Sequence, residues 1–215
     1  QVDRCEEQPQ TAFAVNGEGA ANLALACKSV KARLIHVSTD YVFDGMSRVP
    51  YREDDPVNPL SAYGRSKLQG ESAVQAMLDD VTIVRTAGLY GKGGVNFVNT
   101  IRRLAQERDE LTVVDDQWVS PTYSVDLSRA IGLLMRASAR GIFHVVNSGA
   151  CTWHRFACRI VQLTGSRSTV TPISSAQLNR PAARPAFSVL STGKYTAVTG
   201  REMRSWEDAL TEYLS

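Results

Sequence analysis

Two residues able to do acid–base chemistry, Tyr63 and Lys67, stand four positions apart in a segment of helical character. On a helix this spacing places both side chains on one face, a single turn apart. Tyrosine is a poor proton donor at neutral pH because its pKa lies near 10, and a neighbouring ammonium lowers that value by favouring the phenolate. The pair therefore predicts an acid–base centre in which Lys67 tunes Tyr63.

A predicted strand supplies further polar groups to the same place. The apolar run at residues 34–37 leads directly into Ser38, Thr39 and Asp40. Such a run is typical of a buried parallel strand, and α/β proteins place their sites at the carboxyl ends of such strands. A loop rich in turn residues follows, and then the helix that carries Tyr63. This order predicts that the Thr39 hydroxyl reaches the oxygen on which Tyr63 acts.

The composition is that of an ordinary globular chain. Of its 215 residues, 43% are hydrophobic and 21% are charged, and the net charge is +2. A charge this small gives no argument for nucleic acid or for a membrane surface. No stretch approaches the ~20 apolar residues of a membrane helix, and no secretory signal is visible. We therefore expect a cytoplasmic protein with no nucleic-acid or membrane partner.

The four cysteines show no Cys-x-x-Cys pairing, so we expect free thiols. Cys151, His154 and Cys158 would share one side of a helix, and all three are potential zinc ligands. A structural zinc site needs four ligands, and no fourth is evident nearby. We expect this helix face to pack on the domain, and we predict no metal site.

Hydrophobic periodicity predicts alternating helices and strands, and hence an α/β fold. The predicted helices span residues 9–30, 61–77, 96–108, 125–137, 152–163 and 205–214. The predicted strands span residues 34–37, 81–85, 111–114 and 142–146. A glycine cluster at 88–94 lacks the Lys-Ser/Thr of a phosphate loop and the spacing of a dinucleotide loop. We predict that it is a flexible loop on the substrate side.

Taken together, the motifs resemble those of the dTDP-4-dehydrorhamnose reductase family, a branch of the extended short-chain dehydrogenases/reductases. They are STDYVFDG at 38–45, YGRSKL at 63–68, VRT at 84–86, VDDQ at 114–117, SPT at 120–122 and RPA at 184–186. The resemblance covers nearly the whole chain, and STDYVFDG followed by YGRSKLxGE is highly specific to this family and its near relatives. It implies the C-terminal part of a Rossmann-type doubly wound parallel sheet, with a small α/β substrate-binding domain.

The resemblance also implies how the chain divides. Residues 1–87 and 122–148 would form the remainder of a dinucleotide-binding domain, and residues 88–121 and 149–215 a nucleotide-sugar domain. Family members begin with a glycine-rich loop that this sequence does not contain. We therefore expect roughly 60 residues of a dinucleotide fold to be lacking. On this view residues 1–215 alone are an inactive fragment.

The activity implied by the resemblance is reduction of dTDP-4-dehydro-L-rhamnose to dTDP-L-rhamnose, with hydride from NADPH or NADH, in dTDP-rhamnose biosynthesis. Tyr63 would donate the proton, Lys67 would also hold the nicotinamide ribose, and an arginine would suit the diphosphate. The implied catalytic residues are Thr39, Tyr63 and Lys67. The implied cofactor-binding residues are Ser38, Tyr63 and Lys67. The implied substrate-binding residues are Thr39, Asp40, Tyr41, Asn96 and Arg184.

Some alternatives stay open. The regulatory subunit of methionine adenosyltransferase resembles the same reductases and acts through protein contact, although it has no need of an intact Thr39, Tyr63 and Lys67 set. Reduction of another nucleotide-linked 4-keto sugar is also open, because many family members have a sugar-contacting tryptophan at the position of Gly88. Trp118 is a candidate replacement. The sequence does not separate NADPH from NADH, leaves bound magnesium undecided, and leaves a homodimer among the open assemblies.

Overall fold

Helices and strands alternate along the chain, and the computed structural model describes residues 1–215. The helices are α1 (Val2–Glu7), α2 (Pro9–Phe13), α3 (Gly19–Ser29), α4 (Ala62–Met77), α5 (Phe97–Glu107), α6 (Ser124–Arg136), α7 (Trp153–Leu163), α8 (Ser175–Leu178), α9 (Gly193–Thr199) and α10 (Trp206–Leu214). The strands are β1 (Leu34–Thr39), β2 (Val81–Thr86), β3 (Leu89–Tyr90), β4 (Glu110–Val114), β5 (Trp118–Val119), β6 (Thr122–Tyr123), β7 (Gly141–His144), β8 (Cys151–Thr152) and β9 (Thr169–Ile173). A π-helical turn (Ala14–Glu18) joins α2 to α3, and a 3₁₀ turn (Asp40–Val42) follows β1.

A parallel sheet in the order β1-β2-β7 forms the larger unit. Parallel neighbours need helical crossovers, and α4 supplies the connection from β1 to β2. Every residue of β2 is buried, because α3 and α4 cover one face of the sheet and α6 covers the other. The three strands follow the order of the last three in a doubly wound sheet, which confirms the predicted fold class.

The smaller unit is built on the parallel pair β4 and β9. Helices α5, α7 and α10 pack over this pair around an aromatic core in which Phe156 contacts Trp206 edge to face. Two further pairs of two-residue strands form, β3 with β6 in parallel and β5 with β8 antiparallel. The apolar stripes of α5 and α7 account for the packing, because both helices are strongly amphipathic.

The helix predicted over 9–30 is interrupted by the π-helical turn, which packs closely on α4. This segment crosses α4 at Gly70, where an added Cβ would lie 2.2 Å from the carbonyl oxygen of Asn16. The predicted flexible loop at 88–94 is also corrected, because it contains β3, which pairs with β6. No helix in the structure combines the length and apolarity needed to span a membrane.

Candidate active site

A cleft of about 350 Å³ opens at the carboxyl ends of β1 and β2. Its walls come from β1, the 3₁₀ turn, the first two turns of α4 and the segment after β2. Most of the predicted site residues meet there: Ser38, Thr39, Asp40, Tyr41, Tyr63 and Lys67. The order of strand, turn and helix along the sequence therefore predicted correctly that these side chains lie in one cleft.

Local hydrogen bonds fix the strand end. The Thr39 hydroxyl accepts from the backbone N–H of Tyr41 at 3.2 Å, which caps the 3₁₀ turn, and donates to Asp40 Oδ1 at 3.0 Å. Asp40 is buried, and burial raises the pKa of its carboxyl to about 6, although hydrogen bonds from Ser188 and Thr39 oppose the rise. The site therefore holds a carboxyl that titrates just below neutral pH beside the Thr39 hydroxyl.

Helix α4 lies very close to this turn. The Ser61 hydroxyl caps the helix by accepting from the N–H of Gly64 at 3.2 Å, and Glu6 of α1 accepts from the N–H of Ala62 at 2.8 Å. A Cβ at Gly64 would lie 2.2 Å from the carbonyl oxygen of Tyr41, so only glycine permits the approach. The contact brings the Tyr63 ring within 5.9 Å of the Tyr41 ring, edge to face.

The electrostatics of the pair differ from the prediction. The Lys67 ammonium donates to the carbonyl oxygen of Val37 at 2.7 Å, and burial lowers its pKa while the charge of Glu71 partly opposes that change. Burial raises the pKa of Tyr63, and a hydrogen bond with Thr39 only partly offsets the rise. The predicted lowering of the Tyr63 pKa by Lys67 is therefore wrong in this structure. Tyr63 is protonated at neutral pH, which is the form that a proton donor requires.

Two buried hydroxyls in the cleft have no protein partner. Ser38 Oγ and Thr86 Oγ1 are both enclosed, and neither makes a hydrogen bond within the chain. Buried polar groups are normally paired, so these two are suited to a polar ligand. An ammonium has three N–H donors, and only one contact from Lys67 is to protein. The floor of the cleft therefore has free hydrogen-bonding capacity at several atoms.

A side cavity of about 320 Å³ adjoins the cleft and shares Tyr41, Gln117 and Trp153 with it. Arg180 and Arg184 line this cavity. Tyr63 and Lys67 line the first of the two adjoining regions, and the guanidinium groups line the second.

Asp3 of α1 holds both arginines in place. Its carboxylate accepts two hydrogen bonds of 3.0 Å from Arg184 and one of 3.0 Å from Arg180. The hydrogen bonds from Arg184 lower the pKa of Asp3 to about 2 even though burial opposes the change. Sequence reasoning identified Arg184 but not Asp3, and nothing in the spacing of residues so far apart along the chain points to their pairing.

Asn96 is the one predicted site residue that lines neither cavity. Its side chain caps α5, accepting from the N–H of Asn99 at 2.9 Å and donating to the carbonyl oxygen of Gly91 at 2.9 Å. These local bonds use the amide at both ends. The structure therefore assigns Asn96 a helix-capping role and does not bring it to the site.

One wall of the cleft combines a glycine with two tryptophans. Gly88 has a φ of +52°, and a Cβ there would lie 3.1 Å from Cα of Pro121. Trp118 lines the cleft with 42% of its surface exposed. Trp153 lines it too. The sequence predicts Trp153 only as part of a helix, and in the structure it is the first residue of α7.

A parallel sheet with a Tyr-x-x-x-Lys helix at its strand ends defines a Rossmann-type α/β protein of the short-chain dehydrogenase/reductase class. The chain belongs to the family described as the RmlD substrate binding domain, whose model matches residues 1–215.

Named relatives support this membership. The chain is 44% identical over 218 residues to a dTDP-4-dehydrorhamnose reductase from Streptomyces griseus, covering 98% of this chain and 72% of the relative. It is 44% identical over 209 residues to a dTDP-4-keto-6-deoxy-D-glucose reductase from Streptomyces niveus, covering 96% and 73%. Among solved structures, a dTDP-4-dehydrorhamnose reductase from Bacillus anthracis in complex with NADP superposes with a TM-score of 0.96 at 40% identity, covering 99% and 76%.

Proposed function

We propose that this protein reduces dTDP-4-dehydro-L-rhamnose to dTDP-L-rhamnose with a nicotinamide cofactor, in the biosynthesis of dTDP-rhamnose. The observation that carries the proposal is the convergence of Thr39, Tyr63 and Lys67 in one cleft. Identity of 44% to a reductase with this named activity supports the same assignment.

The residues of the cleft fit the nicotinamide end of NADP, which is bound in the related Bacillus anthracis structure. Lys67 has N–H donors to spare for ribose hydroxyls, and Ser38 Oγ is buried without a partner. We assign Ser38, Tyr63 and Lys67 to this end of the cofactor. When bound, the reduced cofactor supplies the hydride that adds to the C4 carbonyl carbon of the sugar.

Tyr63 supplies the proton in this scheme. Reduction of a ketone places negative charge on its oxygen, and a positioned donor stabilises that charge as it develops. Tyr63 suits this step because burial keeps its hydroxyl protonated at neutral pH. The hydroxyl of Thr39 lies beside Tyr63 and orients the same oxygen, while Asp40 and Tyr41 face the sugar. A positioned general acid typically contributes about 10²- to 10⁴-fold in rate.

The nucleotide and diphosphate belong in the side cavity. Arg184 lines it, and the guanidinium fork matches phosphate oxygens in geometry and charge. This assignment divides the chain as the sequence predicts, with residues 88–121 and 149–215 serving the nucleotide sugar. We add one refinement, because α9 packs on β7 and α6 through Tyr195 and so belongs to the larger unit.

Reduction of a different nucleotide-linked 4-keto sugar is the second candidate. It is favoured by the identity of 44% to the Streptomyces niveus protein, which is named for a different keto sugar. Gly88 and Trp118 in the wall of the cleft are where such a difference in specificity would arise.

The free state of the cysteines, Cys5, Cys27, Cys151 and Cys158, fits a reducing compartment, and we propose the cytoplasm as the site of the reaction.

The test is a comparison of substrates. The natural gene product that contains this sequence is mixed with NADPH and either dTDP-4-dehydro-L-rhamnose or dTDP-4-keto-6-deoxy-D-glucose, and NADPH absorbance is followed. The proposal predicts a higher kcat/KM for dTDP-4-dehydro-L-rhamnose. A higher value for the other sugar favours the second candidate, and no oxidation with either sugar contradicts both.

A further inference from the structure

Helix α1 is fixed to α4, the helix that carries Tyr63. Glu6 of α1 accepts from the N–H of Ala62 at 2.8 Å, and its carboxylate lies 3.5 Å from Nη2 of Arg65. Residues three apart are neighbours on a helix surface, so Asp3 leaves α1 on the same side as Glu6. The carboxylate of Asp3 therefore belongs to a helix whose position relative to α4 is set by direct contacts.

Asp3 binds the loop formed by residues 180–186, which we call the arginine loop. Its carboxylate accepts from both Nη atoms of Arg184 and from Nη1 of Arg180, each at 3.0 Å. It also accepts from the N–H of Ala182 at 3.2 Å. The loop is packed on a second side as well, because a Cβ at Gly45 would lie 2.7 Å from the backbone nitrogen at position 186. The conformation of the arginine loop is therefore set by contacts on two sides.

The contact with Asp3 occupies the end of the Arg184 guanidinium and leaves one of its sides free. Both Nη atoms donate to the carboxylate, and Nη1 also donates to the carbonyl oxygen of Ala182 at 2.9 Å. These bonds use three of the five N–H groups. The N–H of Nε and one N–H of Nη2 remain, and they lie side by side on the planar group. Such a pair of donors matches two oxygens of a phosphate.

The arginine loop stays cationic although it is bound to a carboxylate. Arg180 and Arg184 carry two positive charges against one negative charge on Asp3, whose pKa the hydrogen bonds from Arg184 hold at about 2. Both arginines line the side cavity and are its charged residues, whereas Asp3 lines neither cavity. A side chain that is ordered before its ligand binds loses less freedom on binding. Asp3 is therefore placed to favour binding of an anion that it does not touch.

We propose that Asp3 is a positioning residue for the nucleotide-sugar substrate: it holds the end of the Arg184 guanidinium so that the free side is ready for the diphosphate. The contact with the diphosphate rests on the proposed function, whereas the ordering of Arg184 by Asp3 does not.

The binding test uses dTDP, the part of the substrate that carries the diphosphate, and the natural gene product that contains this sequence. In Asp3→Asn we expect the Kd for dTDP to rise by roughly 10-fold, because Arg184 must then be ordered when the ligand binds. Asp80→Asn is the matched control. Asp80 also pairs with two arginines, Arg33 and Arg140, but it lies at the amino ends of β1 and β2. Isothermal titration calorimetry should give the wild-type Kd for this control.

Competition between Asp3 and the anion is the opposite expectation, and the same titration decides it. If Asp3 only withheld Arg184 from the anion, Asp3→Asn would bind dTDP more tightly. Tighter or unchanged binding therefore overturns the inference. In an Arg184→Ala background, Asp3→Asn should weaken binding by less than about threefold, because the effects of contacting residues are not additive. A full loss in that background would show that Asp3 acts by another route, and it would overturn the inference too.

Kinetics distinguish positioning from a general loss of structure. Asp3→Asn should raise KM for the nucleotide sugar while kcat stays within about threefold of wild type, because a contact remote from the reacting carbonyl is made equally in the ground state and the transition state. Its KM for NADPH should not change. An equal fall in kcat, or an equal rise in KM for NADPH, would indicate a structural role and contradict the proposal.

A measurement on the wild type covers the case in which Asp3→Asn does not fold. The ¹⁵N relaxation of the Nε–H group of Arg184, assigned by its loss in Arg184→Lys, reports how firmly the guanidinium is held. We expect an ordered group in the absence of any ligand, and a mobile group overturns the inference. This readout is independent of the proposed function. A wild type that binds no dTDP and reduces no nucleotide sugar refutes that function, while the relaxation of Arg184 still decides whether Asp3 orders it.

Discussion

Tyr63 is tuned by its surroundings in the direction that reduction needs. An alcohol-forming reaction requires a donor that carries its proton at neutral pH, and burial of Tyr63 secures that state. Lys67 donates one of its three N–H groups to the Val37 carbonyl, and the other two remain for a ligand. The Thr39 hydroxyl, which lines the same cleft as Tyr63, donates to the buried Asp40 carboxyl at 3.0 Å. The chemistry at this scale depends on burial as much as on residue type.

Tyr63→Phe removes the proposed proton donor. We expect turnover to fall by roughly 100-fold or more, the usual scale for a positioned acid, with little change in binding of the nucleotide-sugar substrate. Steady-state kinetics measures the fall in kcat, and a binding titration with the nucleotide sugar measures the affinity. Tyr195→Phe is the matched control, because Tyr195 is buried in the core between β7, α6 and α9, and it should retain near-normal turnover. Near-normal turnover in Tyr63→Phe would remove Tyr63 from the mechanism.

Arg184→Ala removes a guanidinium far from the reacting carbonyl. A contact to the diphosphate is made equally in the ground state and the transition state, so its loss raises KM more than it lowers kcat. Arg159→Ala is the control, because Arg159 bonds only to Gln162 on the exposed side of α7. An unchanged KM in Arg184→Ala would show that the arginine serves only to hold Asp3.

At the scale of elements, the site depends on how closely α4 approaches the 3₁₀ turn after β1. Gly64 makes that approach possible, and Gly70 allows the same helix to cross the π-helical turn on its other side. Helix α1 adds two further contacts: Glu6 accepts from the N–H of Ala62 at the start of α4, and Asp3 accepts from Arg184. The catalytic helix is therefore fixed by backbone contacts and caps around its first turns.

Gly64→Ala should separate α4 from the 3₁₀ turn. An added Cβ would lie 2.2 Å from the Tyr41 carbonyl oxygen, a contact that only a backbone shift relieves. We expect a destabilisation of about 1–3 kcal/mol. Displacements near 1 Å cost up to about 100-fold in rate, so kcat should fall as well.

Urea unfolding and steady-state kinetics test the Gly64 prediction. Gly132→Ala is the control, because an added Cβ in α6 would meet only an arginine side chain at 3.7 Å. It should be neutral or stabilising by up to about 1 kcal/mol, since alanine is the better helix former. Wild-type kcat and stability in Gly64→Ala would contradict the close approach of α4 and the turn.

At the scale of the whole molecule, buried titratable groups make stability depend on pH. His144 at the end of β7 is fully buried and bonds through Nδ1 to the carbonyl oxygen of Tyr51. Burial, together with the nearby Arg85 charge, lowers its pKa to about 3. Between the unfolded value near 6.5 and about 3, only the unfolded chain binds the proton. The stabilisation associated with neutral His144 is therefore lost as pH falls through this window.

His144→Gln should reveal this dependence. The difference in free energy of unfolding between wild type and variant should shrink by about 1.4 kcal/mol per pH unit as pH falls below 6. This slope is expected because the unfolded wild-type chain binds one proton more than the folded protein. Urea unfolding at pH 7.5, 6 and 5 measures the difference. Asp40 has a raised pKa and acts in the opposite direction, but both proteins contain it, so its effect cancels. A difference that stays constant with pH would contradict the buried neutral histidine.

The sequence predicted the elements that carry strong periodicity and the residues that follow them. The helix bearing Tyr63 and Lys67 was predicted over 61–77 and spans Ala62–Met77, and the strand predicted before Ser38 leads to the cleft. Two-residue strands such as β5 and β8 have no period to detect, so they were missed.

Other features depend on contacts between distant residues. The pairing of Asp3 with Arg184 joins the two ends of the chain, and no local pattern encodes it. The direction of the Tyr63 pKa shift was predicted wrongly because it depends on burial, which spacing does not reveal. Asn96 was predicted to reach the substrate by resemblance alone, and its local hydrogen bonds show a helix cap instead.

The most direct test of the central claim follows the hydride itself. The natural gene product is incubated with NADPH carrying deuterium at the transferable position of the nicotinamide C4 and with dTDP-4-dehydro-L-rhamnose, and the product is examined by mass spectrometry and proton NMR. The account predicts dTDP-L-rhamnose heavier by one mass unit, with the deuterium at C4 of the sugar, and a roughly 100-fold slower reaction with Tyr63→Phe. Unlabelled product, no product, or equal rates for the two proteins would contradict it.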